Sequence, residues 1–266
     1  MREVAILGLG QMPVGEHWEM SPRDLGAQAV VAALEDSAIE KPELLIVGNM
    51  LSGSLSRQEN LGALIADYAG LRGIEAFKVE AACASGATAV RMAYLAVAGG
   101  MVDVAVACGV EKMTDGSTEE ATLALAAAAD ALFESDQGIS FVALNAMLMR
   151  RYMHEFGYRR EDFAEFSVNA HRNAVHNPKA MFRRAITAQA FAEAKMIASP
   201  ISLLDSAGIG DGAAAVVLGT VDLARHRGKE IIRIAASASA TDSVALHDRS
   251  DPLALQAIYQ SAQRAY

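Results

Sequence analysis

Cysteine is scarce in this 266-residue chain. There are two, Cys83 and Cys108, and they form no Cys-x-x-Cys pair. That excludes a disulfide framework or a cysteine-built zinc site as the organising principle, and a reducing, cytoplasmic setting fits better. Positive charge is also in deficit. Lys and Arg number 23 against 32 Asp and Glu, a net charge of −9. This argues against a general nucleic-acid binder and against a polybasic membrane anchor, while leaving room for a local basic patch toward an anionic ligand. No apolar run is long enough to span a bilayer. The start, Met1-Arg-Glu-Val-Ala-Ile-Leu-Gly8, lacks the apolar stretch and cleavage site of a signal peptide and runs directly into a strand. No GxxxxGK[ST] segment occurs, so a phosphate loop is not expected.

What is present is a large apolar inventory. Hydrophobic residues make up 52% and charged residues 21%, enough to build a core and too little polarity for disorder. The length suits one large α/β domain or two smaller ones. Val4 to Gly8, Leu44 to Val47, Phe77 to Val79 and Val102 to Ala107 read as strands. Between them come helical stretches: one opened by Ser21-Pro22 with Leu25, Ala29, Ala32 and Ala33 on one face, and one from Arg57 to Tyr68. The alternation predicts βαβ units and a mostly parallel sheet. From Thr114 to about Pro200 no long buried strand is evident, and helices over Phe141–Phe156 and Arg160–Asn173 are expected. The sheet resumes at Asp211-Gly and continues to Gly219. A strand over Ile231–Ala238 and a helix opened by Asp251-Pro252, with Leu255, Ile258 and Ala262 on one side, echo the chain's beginning. Two ordinary βα units could match by coincidence, or the chain could hold a weak internal repeat.

The most informative stretch is Glu80-Ala-Ala-Cys83-Ala-Ser-Gly86-Ala-Thr88-Ala. It follows the strand ending at Val79 and opens a helix of small residues, Thr88 to Gly99. A cysteine there meets helix-end N–H groups and the positive end of the helix dipole, which favour the thiolate. Ala84, Ser85 and Gly86 leave room beside Sγ, as nucleophilic attack on an acyl group requires. The composition of the stretch alone is equally compatible with a small buried hydrophobe.

Other signals are set aside on physical grounds. Gly8-Leu-Gly10-Gln-Met-Pro13 has proline where a dinucleotide fingerprint needs glycine. The six histidines, His17, His154, His171, His176, His226 and His247, form no ligand spacing; His171 and His176 are five apart. Asp205 and Asp211 could pair as carboxylates, but Asp211-Gly212 reads as turn chemistry. Met147 to Met153 reads as apolar packing. Cys108, inside a strand, reads as core.

Four segments, in order, resemble the thiolase family: Val4-Ala-Ile-Leu-Gly-Leu-Gly10, Glu80-Ala-Ala-Cys83-Ala-Ser-Gly-Ala, Ala107-Cys-Gly-Val-Glu111-Lys-Met113-Thr, and Asp205-Ser-Ala-Gly-Ile-Gly-Asp211-Gly-Ala-Ala-Ala-Val. The central stretch is most similar to sterol-carrier-protein-type and archaeal thiolases, through Met149-Arg-Arg-Tyr152 and Asn173-Ala-Val-His-Asn-Pro178. Ser206 stands where that resemblance leads one to expect cysteine. The resemblance implies an α/β thiolase-like layered fold. Residues 1–111 and 201–225 would be the first half-domain, 112–200 a helical loop or cap insertion, and 226–266 the start of a second half-domain.

The same resemblance implies an acyl-CoA C-acyltransferase of lipid metabolism, either an acetyl-CoA acetyltransferase or a 3-ketoacyl-CoA thiolase. Cys83 would be its nucleophile and the Cys83 backbone N–H an oxyanion donor. Coenzyme A and acyl-CoA would enter as substrates, with no permanently bound cofactor or metal. A homodimer or higher homo-oligomer is implied, together with a small acyl-CoA-binding partner protein in some relatives. Family members carry three further motifs, Asn-Glu-Ala-Phe or His-Asp-Cys-Phe, Gly-His-Pro, and Cys-x-Gly. None occurs here. The chain thus reads as an amino-terminal two-thirds of a thiolase, inactive or weak by itself. The alternatives are a non-catalytic pseudo-thiolase that binds acyl-CoA or a partner subunit, and another condensing enzyme of the same fold, such as a ketoacyl synthase or hydroxymethylglutaryl-CoA synthase.

Overall fold

The computed structural model describes residues 1–226 and 230–266. Its strands are β1 (Val4–Gln11), β2 (Leu44–Gly48), β3 (Glu75–Val79), β4 (Val104–Glu111), β5 (Met196–Ala198), β6 (Ile201–Ser202), β7 (Gly212–Thr220) and β8 (Ile232–Arg233). Its α-helices are α1 (Pro22–Ser37), α2 (Ser52–Leu55), α3 (Leu61–Tyr68), α4 (Ser85–Gly99), α5 (Thr118–Ala126), α6 (Phe141–Phe156), α7 (Ala164–Ala174), α8 (Ala188–Ala192), α9 (Val221–His226) and α10 (Gln256–Ala265). They fall into two compact units. One comprises Met1–Gly116, Gly210–Ala238 and Arg264–Tyr266, the other Ser117–Ile209 and Ser239–Gln263.

The first unit is a six-stranded sheet in the order β3-β2-β4-β7-β1-β8. β3, β2 and β4 pair in parallel, whereas β4–β7, β7–β1 and β1–β8 are antiparallel. The expectation of a mostly parallel sheet is therefore corrected to a mixed one. β2 to β3 and β3 to β4 are joined through helices, which return the chain to the end of the sheet where the strands begin and favour parallel entry. β7 arrives after the long excursion from Gly116 to Gly210, so no helical crossover dictates its direction. It enters reversed between β4 and β1.

Helices cover both faces of this sheet. On one face Leu25, Ala29 and Ala33 of α1 and Leu61 and Ile65 of α3 pack against Leu45, Val47, Val106 and Val217. On the other, Ala89, Ala93 and Val97 of α4 pack against Leu44, Ile46, Ala105 and Leu218. β2 is buried throughout, which explains its unbroken apolar run. α1 starts where Ser21 and Asp24 form a reciprocal cap with Pro22 in the first turn. The glycine motif of β1 serves this helix: a Cβ at Gly10 would lie 2.1 Å from the Ala29 carbonyl oxygen. Close strand–helix packing, not phosphate binding, requires glycine there.

Three local expectations are corrected. The helix expected over Arg57–Tyr68 begins only at Leu61, as α3, because Arg57 (φ 52°) and Asn60 (φ 54°) are left-handed. The strand expected over Ile231–Ala238 reduces to β8, two residues paired with Ala5 and Ile6. The helix expected to open at Asp251-Pro252 begins at Gln256. Asp251 instead closes a turn, its side chain accepting from Leu253 N at 2.9 Å. α10 buries none of its side chains.

The second unit is mainly helical. α5 opens on a Ser117–Glu120 capping box, and α6 runs from the Ser140 cap to left-handed Gly157. Buried Arg160 organises the turn around β5 and β6, donating to the carbonyls of Phe191, Ala192 and Pro200 and to Ser202 Oγ. Its guanidinium also lies 4.3 Å from the Phe191 ring centroid.

Candidate active site

Cys83 lies in a single 3₁₀ turn, Ala82–Ala84, between the end of β3 and the first residue of α4. It is exposed. The turn is strained: Ala82 has φ 47°, a left-handed conformation that costs about 1–2 kcal/mol for a residue with a Cβ. Its neighbours hold it there. Ser85 Oγ accepts from Ala81 N at 2.9 Å and donates to the Ala82 carbonyl at 2.7 Å. Ala84 N donates to the Ala81 carbonyl at 2.9 Å, and the Glu80 carboxylate accepts from Ala82 N.

The turn sits on the carboxyl ends of the three parallel strands, where open α/β sheets place their sites. The floor is glycine. A Cβ at Gly48, the last residue of β2, would come within 2.3 Å of the Ser85 carbonyl oxygen, so any other residue would push the first turn of α4 away. Gly86 and Gly109 likewise face each other without side chains.

At the same end of the sheet stands a buried polar cluster. Asp211 accepts five hydrogen bonds. Met113 N (2.7 Å) and Thr114 N (2.9 Å) reach Oδ1, while His17 N (2.9 Å), Lys112 Nζ (2.9 Å) and Thr114 Oγ1 (2.6 Å) reach Oδ2. Burial acts to raise the Asp211 pKa, but the bonds from Thr114, His17, Lys112 and Met113 outweigh it and bring the value down to about 2. Lys112 is itself buried, with Nζ also 2.5 Å from Asp115 Oδ1 and 5.6 Å from the Trp18 ring centroid. Burial would lower its pKa; the hydrogen bonds and charges of Asp115 and Asp211 carry it above the ordinary lysine value.

Glu111, the last residue of β4, accepts from Met50 N (2.5 Å), Leu51 N (3.3 Å) and Asn49 Nδ2 (3.0 Å). Burial pushes its carboxyl above the usual range. The two N–H bonds and nearby Lys78 oppose the shift, and Glu80 adds to it.

Cys108 is fully buried in β4, and burial lifts its thiol to about 12. It is core, as its strand position implied. Asp205 and Asp211 keep separate partners: Asp205 accepts from Ser202 N and Oγ, both at 2.7 Å, and closes a turn. Several histidines bond to nearby backbone, His17 to Pro13, His171 to Arg184 and His226 to Asp222. Among the described residues no histidine hydrogen-bonds to Cys83, and no group of three or more His, Cys, Asp or Glu could hold a metal. A pocket of about 490 Å³, lined by Arg2, Asp103 and Asp222 among others, lies at the opposite end of the sheet, where β1 and β4 begin. What the sequence did not disclose is that Lys112, Thr114 and Asp211 form one buried unit. The signal was in the Glu-Lys-Met-Thr segment, but no local pattern pairs it with a residue almost a hundred positions away.

The family model described as the thiolase N-terminal domain matches residues 4–222. The acetyl-CoA acetyltransferase of Methanothermobacter thermautotrophicus is 43% identical, over all of this chain and 70% of its own length. The enzyme of the same name from Methanocaldococcus jannaschii is 40% identical, over all of this chain and 68% of its own. Among solved structures, the Ltp2-ChsH2(DUF35) aldolase superposes with a TM-score of 0.80 at 24% identity, over 98% of this chain and 68% of that one. The acetyl-CoA acetyltransferase of Syntrophomonas wolfei gives 0.72 at 17% identity, over 89% and 69%. With this match across most of its length and a layered α/β fold to accompany it, the chain belongs to the thiolase family.

Proposed function

We propose that this chain is the Cys83-bearing part of an acyl-CoA C-acyltransferase working through a cysteine acyl-enzyme. The observation that carries the reading is Cys83 itself: an exposed sulfur on a strained turn that ends directly before the first residue of a 15-residue helix and lies above three parallel strand ends. In the first step Cys83 Sγ attacks the thioester carbonyl carbon of an acyl-CoA. The Cys83 backbone N–H donates to the oxyanion of the tetrahedral intermediate. The carbon–sulfur bond to coenzyme A breaks, the cysteine proton passes to the departing sulfur, and the acyl group remains on Cys83 as a thioester. Coenzyme A and its thioesters are substrates in this scheme, and a reducing cytoplasmic setting keeps the thiol free.

The 266 residues contain no Gly-His-Pro and no Cys-x-Gly segment. The proposal therefore has the chain alone acylating slowly and not turning over. Loss of one oxyanion donor costs about 10²–10³ in rate, and loss of general acid–base assistance about 10²–10⁴. Incubation with acetyl-CoA or limiting iodoacetamide, followed by peptide mapping, tests the assignment. Modification should concentrate on Cys83; preferential labelling of Cys108 in the folded protein would overturn it.

The same reading includes a homodimer. β3 pairs with β2 on one side, and its other edge is the edge of the sheet, with Phe77 54% exposed. Pairing of two β3 edges across a two-fold axis would cover it. Light scattering should give a dimer, and a stable monomer at micromolar concentration counts against it. A partner subunit is a second reading, suggested by the fold neighbour whose name joins Ltp2 to ChsH2(DUF35).

A further inference from the structure

Glu111 accepts three hydrogen bonds and, among the described residues, makes no ion pair. All three donors belong to the segment that leaves β2. Oε1 takes Met50 N, and Oε2 takes Leu51 N and the Asn49 amide. Asn49 in turn ties in the other two strand ends. Its backbone N–H donates to the carbonyl of Val79, the last residue of β3, at 3.2 Å. Its side chain donates to the Val110 carbonyl at 2.8 Å and accepts from Ser52 N at 3.0 Å. Directly before it, Gly48 abuts Ser85, whose hydroxyl holds the Cys83 turn.

The carboxylate thus stands at the head of a short chain of contacts, from β4 through the end of β2 to both sides of the cysteine turn. The geometry points to Glu111 as a positioning residue for Cys83, fixing the three strand ends so that the turn keeps the sulfur at the helix terminus. This rests on the reading of Cys83 as the nucleophile. A half-buried carboxylate with only neutral donors is costlier to place than an amide. An amide, however, could not accept on both sides: its NH₂ would face either Met50 N or the Leu51 and Asn49 donors. The charged groups facing Glu111 are Lys78 and Glu80, both on the β3 side, and they act in opposite senses.

The sign of one measurement separates positioning from simple charge. Removing a negative charge near Cys83 would by itself speed attack by a thiolate sulfur. Loosening the turn would slow it. Iodoacetamide labelling of Cys83 at neutral pH should therefore be measured in the full chain, in Glu111→Gln and Glu111→Asp, and in Ser21→Ala as a control that weakens α1 elsewhere. We expect Glu111→Gln to label about tenfold more slowly. Glu111→Asp, which keeps the charge but shortens the reach, should also slow, and Ser21→Ala should match the parent. A rate for folded Glu111→Gln that is unchanged or faster overturns the proposal. So does an equal slowing in Ser21→Ala, or failure of both Glu111 variants to fold, which would mark the residue as wholly structural. Labelling of the parent on Cys108 in preference to Cys83 would instead defeat the nucleophile reading.

Discussion

Cys83 and Asp211 stand at the same end of one sheet, yet their surroundings differ in almost every physical respect. The Cys83 side chain is exposed, and the backbone around it is held left-handed at Ala82 by hydrogen bonds from its neighbours. The Asp211 side chain is buried, and both its oxygens are occupied by five donors from the loop after β1 and the loop after β4. One group is kept reachable at some cost in local strain. The other has no acceptor capacity left for a ligand. Two motifs can mark the same family while one presents an exposed, unsaturated group and the other only holds loops in place, and hydrogen-bond saturation tells them apart.

The comparison breaks most readily at Asp211. Replacing it with Asn removes the charge opposite buried Lys112 and turns an NH₂ toward donors that need an acceptor. Breaking a buried pair in this way costs roughly 3–5 kcal/mol. Urea denaturation should show that loss, with Asp115 at 2.5 Å keeping part of the Lys112 partnership. The pH dependence carries the same information. Asp211 has a folded pKa depressed from 3.8 to about 2, so its stabilisation is complete above 3.8 and is lost as pH falls toward 2. That is about 2 kcal/mol by linkage. Asp211→Asn should lack this acid-side step. A variant as stable as the parent, with the step intact, would show that the cluster does not hold the loops together.

The elements that could be read from sequence are those with local causes. Ser21-Pro22 fixed the start of α1, and Ser140 and Gly157 bracket α6 over the expected Phe141–Phe156. The cysteine turn was legible because small residues follow a short strand. What remained hidden depends on distant partners. The reversed entry of β7 between β4 and β1 leaves no mark in the β7 sequence, and the Lys112–Asp211 pair joins residues 99 positions apart. The late start of α3 was missed because the left-handed positions are Arg57 and Asn60, with no glycine or proline between them to announce a break. The glycines at 8 and 10 had no local explanation in the sequence, because their contact with the α1 backbone needed the helix in place.

The smallest expected effect on stability gives the sharpest test of the contrast. Ser85 is 4% exposed and spends its hydroxyl entirely on the cysteine turn, bridging Ala81 N and the Ala82 carbonyl. Ser85→Ala should cost only about 1 kcal/mol in global stability, because one donor and one acceptor lose a partner near the surface and can find water. Locally the consequence is larger. The left-handed Ala82 conformation costs about 1–2 kcal/mol and persists only while neighbouring bonds hold it. Without the hydroxyl, Ala82 can relax toward negative φ, and Cys83 moves off the helix terminus. Its alkylation rate should fall severalfold while the urea midpoint barely moves. Asp211→Asn should do the reverse, with a large loss of midpoint and little change in Cys83 labelling as long as the protein stays folded. If Ser85→Ala labels Cys83 at the parent rate, the strained turn is not what tunes the sulfur, and the distinction between the two regions reduces to exposure alone.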